Sequence, residues 1–204
     1  MRVEMIDGAQ LDDRRDLQAQ VIMAMPSLDS WTARRCARLM ASRAGRITDG
    51  LILVIIDHQR EGFVRLINRS FARCACEHFG YVAEDAFPGR AWLQLAQISM
   101  QQRSAKLLAF NDGKWMGKMA SFGLVEREWA ATLYDGALFH PGYQQHYADY
   151  ELSRIAQHQR VFAFEPASVL IEIDWDKDGK RTNPQDKALF EQRSATAFGG
   201  LTRQ

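Results

Sequence analysis

Val21-Ile-Met-Ala-Met25 and Leu51-Ile-Leu-Val-Ile-Ile56 are the two stretches whose reading decides the fold. Each is an unbroken apolar run of strand length. The first closes on Pro26-Ser27 and the second on Asp57. A strand covered on one face alternates apolar and polar residues, whereas a strand covered on both faces has no need to. Between the two runs, Asp29 and Ser30 offer a helix N-cap. Thr32 to Ser42 then places Ala33, Cys36, Ala37, Leu39 and Met40 at helical spacing before Gly45 stops the helix. Strand, helix, strand, with both strands fully apolar, is the repeating unit of a parallel sheet layered by helices. The expected fold class is α/β: a single Rossmann-like domain with a mainly parallel sheet and helices on both faces.

Working outward, the pattern predicts a helix over 65–78, carrying Leu66, Ile67, Phe71, Cys74 and Ala75 on one side. Gly80 breaks it before a third strand, Tyr81-Val-Ala83, which ends in Glu84-Asp85. Pro88-Gly89 turns the chain into a helix from Ala91 to about Gln102. Lys106 to Phe110 is a fourth strand, stopped by the turn signal Asn111-Asp112-Gly113. Phe122 to Val125 reads as a strand, followed by a helix over about 126–133 and another from Asp149 to His158. Two late strands, Val161–Phe164 and Val169–Ile173, precede a charged loop from Asp174 to Pro184 and a terminal helix from Lys187 to Ala197. Residues 1–19 are polar and charge-rich and read as an exposed N-terminal extension or short helix. The domain then spans 20–198, and 199–204 is a tail.

The chain has 204 residues, 47% hydrophobic and 25% charged, with a formal net charge of +1. That is enough to bury a core without staples, and the bulk charge calls for neither nucleic acid nor an acidic membrane. The three cysteines, Cys36, Cys74 and Cys76, do not make a disulfide framework. Two buried small residues on a helix is the plain reading of the last two. No run approaches the ~18 apolar residues of a membrane span. A cytoplasmic protein without membrane insertion is the expectation.

Acids stand where strands end or helices begin: Asp57, Glu84-Asp85 and Asp149. Ligands of open α/β sheets bind at the carboxyl ends of strands. Adjacent carboxylates there repel unless a cation or a proton neutralises them. A divalent ion holding a diphosphate is one occupant, because Mg²⁺ and Mn²⁺ take one or two carboxylates plus substrate phosphates. The alternative is that Glu84 and Asp85 cap the next helix or lie solvated, and that Asp149 is itself a helix N-cap. The histidines lack zinc-hydrolase spacing, and Gly-x-Ser-x-Gly, the P-loop and Gly-x-Gly-x-x-Gly are absent. Trp115 and Trp129 are candidate sugar platforms, with core or rim packing the simpler reading of each.

The order of these pieces carries a resemblance. Asp57-(x4)-Gly62-Phe-Val-Arg-Leu-Ile-Asn68, then Phe79-Gly-Tyr-Val-Ala-Glu84-Asp85-Ala-Phe-Pro88, resembles the nucleotide-binding half of family 2-like glycosyltransferases with the GT-A fold. Tyr147-Ala-Asp149-Tyr-Glu151-Leu152 is similar to that family's acidic helix start, and Asp186-(x3)-Phe190-(x2)-Arg193 to a C-terminal segment of related proteins. The resemblance implies a nucleotide-diphospho-sugar donor, UDP-linked, with its base near Pro26 and Asp57 and Asn68 in the same donor site. It implies Mn²⁺ or Mg²⁺ on Asp85, with Glu84 ligating or hydrogen bonding. Asp149 would be the base that deprotonates an acceptor hydroxyl on a glycan, protein or nucleic acid. The chain departs from the family in two places. The acidic motif reads Glu84-Asp85-Ala86 instead of D-x-D. Where a His often follows a late strand, the sequence is Ile171-Glu-Ile-Asp174-Trp175, with Glu172 or Asp174 as substitutes or as ordinary strand-end acids. Those departures also fit an alternative: a GT-A-like binding or structural protein that has lost catalysis.

Overall fold

The computed structural model describes residues 1–173 and 182–203, so Asp174 and Trp175 lie outside the described residues. Its strands are β1 (Arg2–Asp7), β2 (Val21–Ser27), β3 (Gly50–Ile56), β4 (His78–Tyr81), β5 (Ala86–Pro88), β6 (Leu107–Asn111), β7 (Gly123–Glu126) and β8 (Phe162–Glu172). They form one mixed, mostly parallel sheet in the order β1-β3-β2-β4-β7-β6-β8-β5. β1, β3, β2 and β4 run parallel, as do β6 and β8; β7 is antiparallel to both its neighbours, and β5 is antiparallel to β8.

The unbroken apolar runs are explained by burial on both faces. Along β3, Leu51, Leu53 and Ile55 join one core with α2 (Phe63–Arg73), α4 (Arg127–Ala131) and α5 (Ala148–His158). Ile52, Val54 and Ile56 join the other, with α1 (Ser30–Arg43) and α3 (Trp92–Arg103). β2 divides in the same way, Ile22 and Ala24 to one side and Val21, Met23 and Met25 to the other. Glycine is required where β4 lies close against β2. A Cβ on Gly80 would stand 2.2 Å from Met23 Sδ.

Several elements differ from the sequence reading. Residues 1–19 are no simple extension, since Arg2–Asp7 is the sheet's edge strand, paired along its length with β3. Its polar residues reflect the edge position: Arg2 is exposed, and Glu4 pairs with Arg2 and Arg14. The second helix stops at Arg73, with Cys74 as its C-cap, so Cys74 and Cys76 are not helical. Burial holds both thiols up at about 12, which leaves them protonated and inert. The third strand starts and ends earlier than Tyr81–Ala83, and the two late strands are one long strand with a register shift opposite Ala109–Asn111.

The last helix, α6 (Pro184–Ala195), clamps the start of α5. Asn183 caps it, accepting from the Gln185 and Asp186 amides, and Pro184 sits in its first turn. Asp186 accepts from the backbone amides of Gln144, Gln145 and His146 at 2.8–2.9 Å. Phe190 stacks on Tyr147 and Tyr150, with ring centroids 5.1 Å apart in each case. Arg193 grips the buried Glu151 carboxylate through Nε at 2.8 Å and Nη2 at 2.7 Å, and the hydroxyls of Tyr134 and Tyr143 donate to it at 2.7 Å. Burial, with the neighbouring carboxylate, pushes both phenols up, so they remain donors.

Removing one partner of a buried pair strands the other charge. Arg193→Ala should therefore lower unfolding free energy by about 3–5 kcal/mol, while Glu151→Gln with Arg193→Met should recover most of that loss. Urea unfolding of the single and double variants measures it. A loss below about 1 kcal/mol for Arg193→Ala, the size of a surface pair, would show that the cluster does not anchor α5.

Candidate functional site

The parallel strands β2, β3 and β4 end on one rim, where Asp57 follows β3 and Glu84-Asp85 follows β4 by three residues. β2 lies between them, so the two sites are separated by two strand spacings, roughly 10 Å. The Asp57 amide donates to the Ser27 carbonyl at 2.8 Å. Its carboxylate is buried and accepts from the amides of Glu61 (2.8 Å) and Gly62 (2.9 Å). Asp57 thereby closes the loop that starts α2, where Gly62 takes the left-handed φ of +93°. Pro26, buried in β2, lies opposite Ile55. Asn68 donates to the Phe139 carbonyl at 2.9 Å and accepts from the Phe139 amide at 2.8 Å. Its carboxamide is engaged in fastening α2 to the segment before α5.

Glu84 and Asp85 line a groove of about 630 Å³ beside α1, with Trp31, Arg35, Phe87 and Ile173 among its walls. Trp31 is exposed, and the Arg35 guanidinium lies 4.4 Å from its ring centroid. Both carboxylate residues are half-buried and have further interactions. The Asp85 carbonyl accepts from the Ile173 amide at 3.1 Å, which fastens the motif to the end of β8.

Asp149 lines a different cavity, of about 760 Å³, together with Trp115, Lys118, Ser121, Tyr150, Arg154 and Glu172. Glu172, the last residue of β8, lines this cavity, and Ile173, the residue after it, lines the other. The rim thus brings Glu84 and Asp85 together and sets Asp149 across the end of β8 from them. Asp149 is not the N-cap of its helix. That position belongs to Tyr147, whose φ is +67°, and Asp149 stands in the first turn with Oδ1 accepting from the Tyr150 amide at 2.8 Å. Burial pushes its carboxyl up from the ordinary 3.8 to about 7. The Tyr150 amide opposes the shift, and the carboxylates of Glu172 and Asp112 add to it. A carboxyl that is half-ionised near neutral pH can take a proton from a hydroxyl and release it.

Asp112, legible in the sequence only as part of a turn signal, is buried and organises one wall of this cavity. It accepts from the amides of Lys114 (2.9 Å) and Trp115 (2.8 Å) and from the Ser121 hydroxyl. Trp115, 39% exposed, is left at the cavity edge, whereas Trp129 packs against the core and donates to Gln159. Lys118 and Arg154 also line the cavity without having been singled out by any sequence motif. Only the i,i+4 relation of Tyr150 to Arg154 hinted that Arg154 shares this face.

No protein-family model matches the sequence, and no curated protein does. Solved structures do match. The chain superposes on a β-1,4-galactosyltransferase 7 from Drosophila, bound to manganese, UDP-Gal and xylobiose, with a TM-score of 0.60 at 14% identity, covering 82% of this chain and 78% of that one. The mannosyltransferase PcManGT from Pyrobaculum calidifontis, with GDP-Man and Mn²⁺, gives 0.57 at 12% identity over 92% and 73%. Glucosyl-3-phosphoglycerate synthase from Mycobacterium tuberculosis, with Mg²⁺ and UDP, gives 0.54 at 11% identity over 95% and 82%. The chain spans 59% of the length of TarS residues 1–349 from S. aureus, at a TM-score of 0.54. Parallel strands with an antiparallel β7 inserted among them, and helices on both faces, are thus the GT-A fold of nucleotide-sugar glycosyltransferases.

Proposed function

We propose that this chain moves a sugar from a nucleotide-diphospho-sugar, UDP-linked, to an acceptor hydroxyl with inversion at the anomeric carbon. The observation that carries the reading is Asp149: a carboxyl pushed up to about 7, in a cavity beside the strand end that also bounds the Glu84-Asp85 groove. The GT-A neighbours, whose structures hold nucleotide sugars or nucleotides with Mn²⁺ or Mg²⁺, support it.

Glu84 and Asp85 suit a hard divalent ion, which prefers carboxylate oxygens and keeps positions for phosphate and water. Among the described residues no group of three or more His, Cys, Asp or Glu could hold a metal, so the diphosphate and water would complete the shell. Mn²⁺ or Mg²⁺ bound there would offset charge developing on the departing diphosphate. Asp149 takes the acceptor proton as the acceptor oxygen bonds to the anomeric carbon and the carbon–diphosphate oxygen bond breaks. Asp57 holds the loop after β3 in shape beneath the donor base, with Pro26 beside it and Asn68 securing α2. A second reading, a binding protein without transfer, is favoured by Glu84 standing where the family has Asp.

Asp85→Asn keeps size and removes charge, so it should abolish the Mn²⁺-dependent part of UDP affinity while leaving the melting temperature unchanged. Calorimetric titration with and without Mn²⁺ reads this, and equal affinities for variant and wild type would exclude Asp85 as a ligand.

The base should show itself in pH. Transfer should rise with pH through about 7, as Asp149 ionises. Asp149→Asn should cut turnover by ~10²–10⁴-fold, change UDP affinity little, and lose that limb. Stability carries the opposite sign. A carboxyl whose folded pKa lies above its unfolded one costs nothing below about 4 and a growing amount as pH rises through 7. The melting temperature of Asp149→Asn should therefore gain on wild type over that window. Retained turnover in this variant would leave the binding-protein reading standing.

A further inference from the structure

The Asp149 cavity carries positive charge that proton transfer does not require. Lys118 and Arg154 both line it, both are exposed, and neither forms an ion pair with a described residue. Elsewhere the arginines near carboxylates are paired, as Arg14, Arg69 and Arg193 show. The backbone that carries the two cations is also held in place. The Lys118 carbonyl accepts from Gln157 Nε2 of α5 at 2.9 Å, and its amide donates to the Trp115 carbonyl at 2.9 Å. The Ala120 amide donates to Ser153 Oγ on the same helix at 2.9 Å. The loop bearing Lys118 is thus pinned to the helix bearing Arg154, with the exposed Trp115 ring at the edge. Of the nearby carboxylates, Glu172 shares the cavity and has an interaction of its own, without an ion pair to either cation, and three others are committed elsewhere. Asp112 is consumed by amides and a hydroxyl, Glu151 is buried against Arg193, and Asp149 is protonated about half the time near neutrality.

We infer that the acceptor is an anionic, hydroxyl-bearing saccharide or polyol, whose carboxylate or phosphate binds Lys118 and Arg154 while a ring rests on Trp115. This deepens the transferase reading and rests on it for the word acceptor. In that reading the donor diphosphate lies in the groove of Glu84 and Asp85 across the end of β8, which leaves these cations to the partner approaching Asp149. Exposed cations without an ion pair among the described residues raise the local concentration of an anion and weaken with salt, so the preference should be ionic-strength dependent.

The test titrates three probes into the protein preloaded with UDP and Mn²⁺, at low and at high salt: a galacturonic acid trimer, a glycerol phosphate trimer and neutral maltotriose. At least one acidic probe should bind about tenfold or more tightly than maltotriose, with the advantage shrinking in salt. Which acidic probe it is separates carboxylate from phosphate. Lys118→Gln with Arg154→Gln should remove most of that advantage at an unchanged melting temperature. Equal binding of maltotriose, no binding of either acidic trimer, or an unaltered double variant would overturn the inference. So would a double variant that loses UDP affinity and keeps the acidic probe, since the cations would then serve the donor. The UDP titration of wild type keeps the two readings apart. If UDP binds without acid selectivity, the inference alone fails. If UDP does not bind while the acidic probe does so through Lys118 and Arg154, the anion site stands and the transferase reading falls.

Discussion

The Glu151 carboxylate has no contact with water, and the half of the molecule that carries Asp149 is arranged around that fact. An isolated buried carboxylate is too costly to stay ionised. Here Arg193 and two tyrosine hydroxyls supply the donors, drawn from three separate segments of the chain. Tyr134 follows α4, Tyr143 precedes α5 and Arg193 ends α6. Satisfying one charge therefore fixes how those segments meet. Asp149 lies two residues before Glu151 on the same helix, so its position on the rim is inherited from the anchor. Asp186, gathering three amides just before α5, holds the entry of the same helix from outside.

The sheet imposes the complementary constraint. A strand buried on both faces needs a core on each, and the alternating residues of β2 and β3 supply both. With every side chain of these strands committed to packing, polar function can appear only where the strands end. That is why Asp57, Glu84 and Asp85 collect at the rim, and why none of them lies within a strand. The antiparallel β7 fits the same scheme. It packs between β4 and β6, and a Cβ on Gly123 would stand 2.5 Å from the Tyr81 hydroxyl, which donates to the Ala120 carbonyl.

The parallel core was legible because apolar runs of strand length punctuated by Asp57, Gly45 and Pro26 have few other solutions. β1 was not, because an edge strand buries too little to need an apolar run. Arg2 and Glu4 look like a tail until β3 is there to pair with them. β5 is three residues long and pairs with β8 far along the chain, Ala86 with Glu172 and Pro88 with Leu170, so nothing local marks it. At the site, acids at strand ends could be picked out one by one, but that Glu84-Asp85 and Asp149 line different cavities, with Ile173 on one and Glu172 on the other, depends on tertiary packing. The roles of Asp57 and Asn68 as backbone clips were hidden for a related reason: their partners are amides and carbonyls, which every residue possesses.

The electrostatics of the rim combine these constraints. Asp149, Asp112 and Glu172 are close enough for each of the other two to push Asp149 upward, yet burial is the larger cause. Such a cluster is tolerable only if its charge is distributed among different partners. Asp112 is stabilised by two amides and the Ser121 hydroxyl, Asp149 by one amide and by partial protonation. Lys118 and Arg154 then contribute a positive field at the cavity without quenching either carboxyl by direct pairing. Pairing with a cation would have drawn Asp149 back toward an ordinary carboxylate and removed its basicity near pH 7. Keeping the cations apart from Asp149 preserves its basicity and leaves them able to meet a charge brought in from solution.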